Sequence, residues 1–409
     1  MKNIDEPADN FVDDMMAFSD HYSDRKYIET LAENAGSTLR WVQQNGVEFD
    51  YLPTMFITSN RPRLLPVGGG RAIIDALSRK AQALGVEIIY EATAWKLLLD
   101  EEGVISGLNV RVKGGRTIRL NTGAVILAAG GFQGNREMMS RYIGRDAHKI
   151  PTVAKGGLYN KGEAIRMALD IGAKPAGQFD AFHAEPVDPR SSREEAAVMA
   201  FNYGILVDKS GRRFVDEGKT TIDEQYEEVA RKIFYELPDH IAYMIIDQKL
   251  YDIPNYERTL ETDQPPIVAD TVEELAGRIG VPADALAETV RTFNGAVQPG
   301  EFRWDRPDGK RTKGLSPDKT NWAVPIDKPP FIAYPIVCSN VFTHGGLATD
   351  TFGRVLSQDD DPIPGLYAAG ETAGLYYRKY PGGTSVLRGL VFGRRAGQHG
   401  VDYVCEEVL

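Results

Sequence analysis

Apolar positions recur at helical spacing over residues 26–46 (KYIETLAENAGSTLRWVQQNG), and the run stops at Gly46, a residue suited to a helix C-terminus. A second amphipathic run, GGGRAIIDALSRKAQALG (68–85), opens on three glycines and leads into VEIIYEA, whose apolar density reads as a strand. AWKLLLDEEGVISGLNVRV and GRTIRLNTGAVILAA follow, divided into short strands by turn signals at Glu102-Gly103 and Gly114-Gly115. Residues 125–135, VILAAGGFQGN, form an apolar run that breaks into glycines before the helix-like REMMSRYI. That strand, turn and helix order is the shape in which backbone N–H groups meet an anion. Gly130, Gly131 and Gly134 nevertheless lack the i, i+2, i+5 spacing of a dinucleotide fingerprint.

Past Arg145 the texture changes. GEAIRMALDIGA predicts one more helix, and a polar, proline-containing stretch runs from Phe179 to about Arg193. From there to Pro330 the chain is richer in charge, with VADTVEELAGRIG and PADALAETVRTFNGAV predicting a pair of surface helices. The tail returns to the first texture through PIVCSNVFTHGGLATD, PGLYAAGE, YPGGTSVLRGL and the helix VFGRRAGQHGVDYVCEEVL. The pattern predicts an α/β domain made of residues 1–180 and 331–409, interrupted by an α+β insertion over 181–330.

Composition narrows the function classes. A chain of 409 residues with 42% hydrophobic content can build substantial cores, and a net charge of −11 without a basic stripe argues against nucleic acid as a partner. No apolar run approaches the roughly 20 residues of a membrane span, and the acidic start MKNIDEPADN is unlike a signal peptide, so the expectation is a cytoplasmic protein without membrane partners. Cys338 and Cys405 lie far apart with no metal-type spacing, so no metal site is expected.

Four segments carry chemistry, and each has a plain alternative. GLYAAGET (365–372) leaves Glu371 at a strand end, where it can accept hydrogen bonds from ribose or ribityl hydroxyls, or sit in a solvated loop. YPGGTSVLRGLVFGRRAG (380–397) sets glycines before a helix whose N-terminus suits a flavin carbonyl or a carboxylate; an ordinary loop–helix junction looks the same. FTHGGLATD (342–350) offers Thr343 and His344 beside two glycines, with a structural histidine as the alternative. GILVDKSGRRFVDEG (204–218) reads as a hairpin turning at Lys209-Ser210-Gly211 that delivers Arg212, Arg213, Asp216 and Glu217, either to a site or to solvent.

In order, LAAGGFQGN, RRFVDEG, NWAVPIDKPPFIAYPIVCSNVFTHGGLATD, IPGLYAAGE and YPGGTSVLRGLVFGRRAG resemble the fumarate reductase and succinate dehydrogenase flavoprotein family, closest to its tricarballylate dehydrogenase branch. The resemblance runs from about Lys26 to the C-terminus. It implies FAD as cofactor, an FAD-binding domain interrupted by a capping domain, and a redox step at a carbon–carbon bond beside a carboxylate or carbonyl. The substrate class is then a di- or tricarboxylate or an enone-type molecule, with an electron-transfer partner completing the redox pair. By position, Ala129, Gly130 and Gly131 lie against FAD, Ala92, Thr93 and Ala94 meet its adenine end, and Glu371 is the flavin-chain carboxylate. Gly383, Ser385, Val386 and Leu387 correspond to the backbone that meets the isoalloxazine. Tyr380 or His344 is the implied acid/base, with His183 and Arg388 holding substrate.

Two departures qualify these expectations. Where fumarate reductases carry a catalytic arginine after the RFVxE-type motif, this chain has Thr221, which disfavours fumarate reduction by that route and leaves the tricarballylate-like branch consistent. The family opens with a strand, a GxGxxG turn and a helix; the nearest candidate, GGGRAI (68–73), has Ile73 in place of the last glycine and follows LLPV. The sequence therefore reads as starting after the first FAD-binding element. One rival reading is a truncated, non-catalytic homologue without a stable FAD site; another, resting on YPGG and Tyr380, is a 3-ketosteroid 1,2-dehydrogenase.

Overall fold

The computed structural model describes residues 8–58 and 63–407. Helix Arg25–Gln44 begins where the Asp24 carboxylate accepts the Lys26 and Tyr27 N–H groups, and the chain leaves it through Gly46 at φ 97°. Its apolar stripe buries Tyr27, Ile28, Leu31 and Val42, and Tyr27 stacks on Phe392 of the C-terminal helix Thr384–Glu407, centroids 3.7 Å apart. Helix Gly69–Ala83 follows as the glycine-led run predicts.

The inserted region is built on an antiparallel sheet in the order Ile267–Ala269, Phe331–Thr343, Ile241–Asp247, Ile205–Val207, with Phe182–Val187 also paired to Phe331–Thr343. Strand side chains alternate between faces, and here both faces are covered. Ala242, Met244 and Ile246 pack with Val229 and Ile233 of the helix Ile222–Glu236, while Tyr243 and Ile245 pack with Leu275, Val290 and Phe293 of the predicted helix pair, Val272–Ile279 and Ala283–Ala296. The stretch after Phe179 reads as polar, yet residues 182–187 form a fully buried strand: Phe182, Ala184 and Val187 supply its apolar content, and pairing with Phe331–Thr343 satisfies its backbone. The register slips between Asn340 and Phe342, which sets His183 opposite Phe342.

Arg213 and Glu217 of RRFVDEG do not form a solvated face. They make a buried ion pair (2.6 Å), and Glu217 also accepts the Leu206 N–H at 2.8 Å. Lys319, equally buried, donates to the Gly204 carbonyl, and burial lowers its pKa to about 8.

On the other side, Val125–Leu127 lies parallel to Pro362–Ala368, flanked by Arg354–Leu356, and a separate antiparallel sheet joins Thr93–Leu99, Ile105–Arg111 and Thr117–Asn121. VEIIYEA is not a strand: residues 86–90 have no regular structure, and Val86, Ile89 and Tyr90 are exposed. The run has no hydrogen-bonded strand neighbour among the described residues, and a lone extended segment gains too little to persist as sheet.

Candidate functional site

The parallel strands end side by side. Ala369 N–H donates to the Leu127 carbonyl and the Thr372 hydroxyl to the Gly130 carbonyl, each at 3.0 Å. The carboxyl ends of parallel strands are where open α/β sheets hold ligands. Ala128 and Ala129 are exposed there, and Gly130 adopts φ 73°. Gly131 is fixed by crowding, since a Cβ would lie 2.1 Å from Thr343 Oγ1 and 2.3 Å from Glu371 Oε1. Glu371 sits at the end of the second strand, where it accepts hydrogen bonds from Thr343 N (2.8 Å), Gln133 Nε2 (3.3 Å) and Asn160 Nδ2 (3.2 Å). Burial raises its pKa against the opposing effect of these donors. Gln133 lies inside the quoted glycine motif, while Asn160 comes from a distant loop and carries no sequence signal.

The C-terminal helix starts beside this cradle. A Cβ on its Gly389 would lie 3.7 Å from Gly370 Cα, so the helix passes in van der Waals contact with the end of the second strand. At its first turn the Tyr380 hydroxyl accepts the N–H groups of Gly383 (2.9 Å) and Ser385 (3.2 Å) and bonds Ser385 Oγ at 3.0 Å. Tyr380, expected as an acid/base, therefore caps the helix that Ser385, Val386 and Leu387 begin. Val386 and Gly383 face solvent.

His183, His344 and Arg388 converge with Tyr380. The His183 ring centroid is 4.4 Å from that of Tyr380 and 5.2 Å from that of Phe342, and His344 is 5.7 Å from Phe342 and 5.8 Å from Tyr376. His344 is sealed from solvent with neither ring nitrogen partnered. Burial, then the charges of Arg231, His183 and Arg388, push its pKa well below the ordinary value, so the imidazole is neutral. Arg388, 2% exposed, donates to the Ala373 carbonyl at 2.9 Å and lies 4.3 Å over the Tyr376 ring, leaving Nε without a partner.

Around His183 stand groups that the sequence did not single out. Tyr226, Glu227 and Arg231 come from helix Ile222–Glu236, and Glu185 lies two residues along the His183 strand, on the same face. The available signals were the i, i+4 pairing of Glu227 with Arg231 and the short spacing of Glu185. Burial, reinforced by Glu195 and Glu227, raises Glu185 to about 8, so it carries a proton at neutral pH.

The residues fit an FAD ring end. Ala128, Ala129 and Gly370 leave accessible backbone at two strand ends, a Cβ at Gly370 or Gly383 would meet nothing within 4 Å, and Gln133 Oε1, both His344 nitrogens and Arg388 Nε are buried polar atoms without partners. Ala92, Thr93 and Ala94 stand apart, at the solvent-accessible start of strand Thr93–Leu99. Among the described residues no group of three or more His, Cys, Asp or Glu is arranged to hold a metal, and no helix is long and apolar enough to cross a membrane.

Comparison with known proteins agrees with this architecture. The chain is 27% identical to a probable fumarate reductase of Shewanella frigidimarina over 99% of its own length and 66% of the relative's, and 29% identical to an NADH:acrylate oxidoreductase of Vibrio harveyi over 94% and 37%. A 3-oxosteroid 1-dehydrogenase of Mycobacterium tuberculosis is 30% identical over 82% of this chain and 63% of that one. The chain thus spans less than two thirds of the length of each of these relatives. An open conformation of a flavocytochrome c3 fumarate reductase superposes with a TM-score of 0.78 at 27% identity, covering 98% of this chain and 68% of that one. The model of the FAD binding domain matches residues 1–387, taking in both parallel strands, the inserted sheet and the start of the C-terminal helix, and on that match the chain belongs to the FAD binding domain family.

Proposed function

We propose that the protein is an FAD-dependent oxidoreductase that acts on a carbon–carbon bond adjacent to a carboxylate or carbonyl, with a small tricarballylate-like acid as substrate. The observation that carries this reading is the set of buried His183, His344 and Arg388 with half-buried Tyr380, gathered beside the strand ends and helix start that suit a flavin. Its relatives, named as reductases of fumarate and acrylate and as a dehydrogenase of 3-oxosteroids, support the bond class. FAD supplies the two-electron acceptor or donor. Ala129, Gly130, Gly370 and the N-terminus of the C-terminal helix would hold it, while the Phe342, Tyr376 and Tyr380 rings exclude water from the reacting carbons. Neutral His344 has two free ring nitrogens with which to accept or donate a hydrogen bond to a substrate oxygen.

A second reading, oxidation beside a ring ketone, is favoured by one observation: the Tyr380 and Phe342 rings stand against His183, centroids 4.4 and 5.2 Å away, and Arg388 already spends a donor on the Ala373 carbonyl and its face on Tyr376. The visible spectrum of the protein reconstituted with FAD tests both. Stoichiometric flavin bands bleached by tricarballylate support the first, bleaching by an apolar cyclic ketone alone supports the second, and no bound flavin overturns both.

A further inference from the structure

Helix Ile222–Glu236 separates the buried His183 from an open cleft of about 340 Å³, lined in part by Glu224, Glu227, Glu228, Arg231 and Lys379. Of these, Arg231 and Glu227 also reach the buried side, and the one that faces the His183 ring is Glu227. Its Oε1 lies 3.5 Å from His183 Nδ1, at the outer limit of hydrogen-bond reach, and 2.6 Å from Arg231, and its carboxylate accepts the backbone N–H of Tyr380. His183 is 3% exposed, and its Nδ1 makes no hydrogen bond of normal geometry, with Glu227 Oε1 facing it at that outer limit. Its Nε2 faces the Tyr226 hydroxyl at 3.3 Å and Glu185 Oε1 at 3.9 Å. Arg231 holds the assembly together by donating to the Phe182 carbonyl, next to His183, and to the Arg378 carbonyl, two residues before Tyr380. Other charged or titratable groups facing this set include His344, Arg388, Cys338 and Tyr235 and, towards Tyr226, Arg63 and Tyr380.

We propose that Glu227 and His183 form a proton conduit between the cleft and the buried site, a role that rests on the proposed redox function for its use but not for its existence. A proton taken from a substrate carbon reaches His183 at Nε2, leaves from Nδ1 to the Glu227 carboxylate, and passes to water in the cleft; in reduction the same atoms carry it inward. One proton enters the imidazole as another leaves, so charge balances while the ring passes from its Nδ1–H to its Nε2–H tautomer; exchange of the Nε2 proton with water as product leaves, and return of a proton to Nδ1 from the cleft through Glu227, restore the pair before the next cycle. Arg231 is a positioning residue, since it touches the conduit and not the reacting atoms. Two properties suit Glu227 to the outer end. It lies in contact with bulk water, and although burial opposes its charge, the His183 hydrogen bond and the charges of His183 and Arg231 keep its pKa below the ordinary value, so it is an ionised acceptor.

The conduit is read first without cofactor. In protein labelled with ¹⁵N-histidine, His183 Nδ1 should carry a proton that exchanges rapidly with water despite its burial, and Glu227→Gln, which keeps size and an acceptor oxygen, should slow that exchange about tenfold or more. Glu236→Gln, farther along the same helix, is the control and should leave it unchanged. Equal exchange in wild type and Glu227→Gln, or a bare Nδ1 in wild type, overturns the conduit. In FAD-loaded protein that turns over, Glu227→Gln should lower kcat by about tenfold or more at unchanged KM and flavin content, with partial rescue of Glu227→Ala by formate. Wild-type kcat in Glu227→Gln also overturns it. A protein that binds no flavin fails the proposed function alone, because the exchange measurement still decides the conduit.

Discussion

Two apolar runs of similar make-up, IAYMII at 241–246 and VEIIY at 86–90, end in opposite environments. The first is a strand paired on both edges and covered on both faces by helices; the second is exposed and irregular. Neither composition nor propensity separates them. What differs is the supply of neighbours: the inserted sheet assembles five strands within one contiguous stretch of chain, whereas Val125–Leu127 pairs, among the described residues, with Pro362–Ala368 alone and leaves Ile126 42% exposed. Order in the cap should therefore be intrinsic, and order near residues 84–90 conditional.

Trp322→Ala should produce the largest loss of stability. Trp322 is fully buried, and its indole N–H donates to the Arg303 and Arg306 carbonyls at 2.9 and 3.0 Å, so truncation should cost about 3–5 kcal/mol by urea denaturation. A cost below about 1 kcal/mol would show that the cap core is not the stable half.

Glu185→Gln should have a pH-dependent effect of the opposite sign. The folded chain holds a Glu185 proton up to about pH 8, while an unfolded glutamate releases it near 4.5, so the native state loses stability as pH rises between these values. The glutamine variant lacks that loss; its advantage over wild type should be nil below about pH 4.5, grow through the interval and level off above about 8, reaching on the order of 5 kcal/mol. A pH-independent difference would place Glu185 in a wetter setting.

Tyr90→Ser and Ile89→Thr should be nearly silent, within about 0.5 kcal/mol, because both side chains are already in water. A cost of several kcal/mol would mean that another surface covers the 84–90 segment in solution.

Local signals made much of this molecule legible. Gly46 closes a helix where its apolar spacing stops, a signal that depends only on near neighbours, and Gly211 at φ 77° closes the turn that Lys209-Ser210-Gly211 implies. The strand ends at Gly130 and Glu371 were readable because glycines and a strand-terminal carboxylate mark them. The partners of Glu371 were not, since Gln133, Asn160 and Thr343 meet it across long separations. The same holds for Tyr226, Glu227 and Arg231: the sequence did not single out their helix, and packing against the His183 strand is what turns its polar edge inward. VEIIYEA shows the converse, a correct local preference with no partner to realise it.

The strand Phe331–Thr343 begins in the Ile241–Asp247 ladder and ends with Thr343, whose N–H donates to Glu371. Thirteen extended residues span roughly 40 Å, so a single unbroken segment belongs to both halves of the molecule. Regions that share one continuous strand are not joined by a slack tether. Any opening has to flex the strand itself, and the place where its ladder already yields is the slip between Asn340 and Phe342, one step from the His183 pairing. The slip and the histidine thus share an address, so the irregularity that bends the strand also decides which ring faces His183.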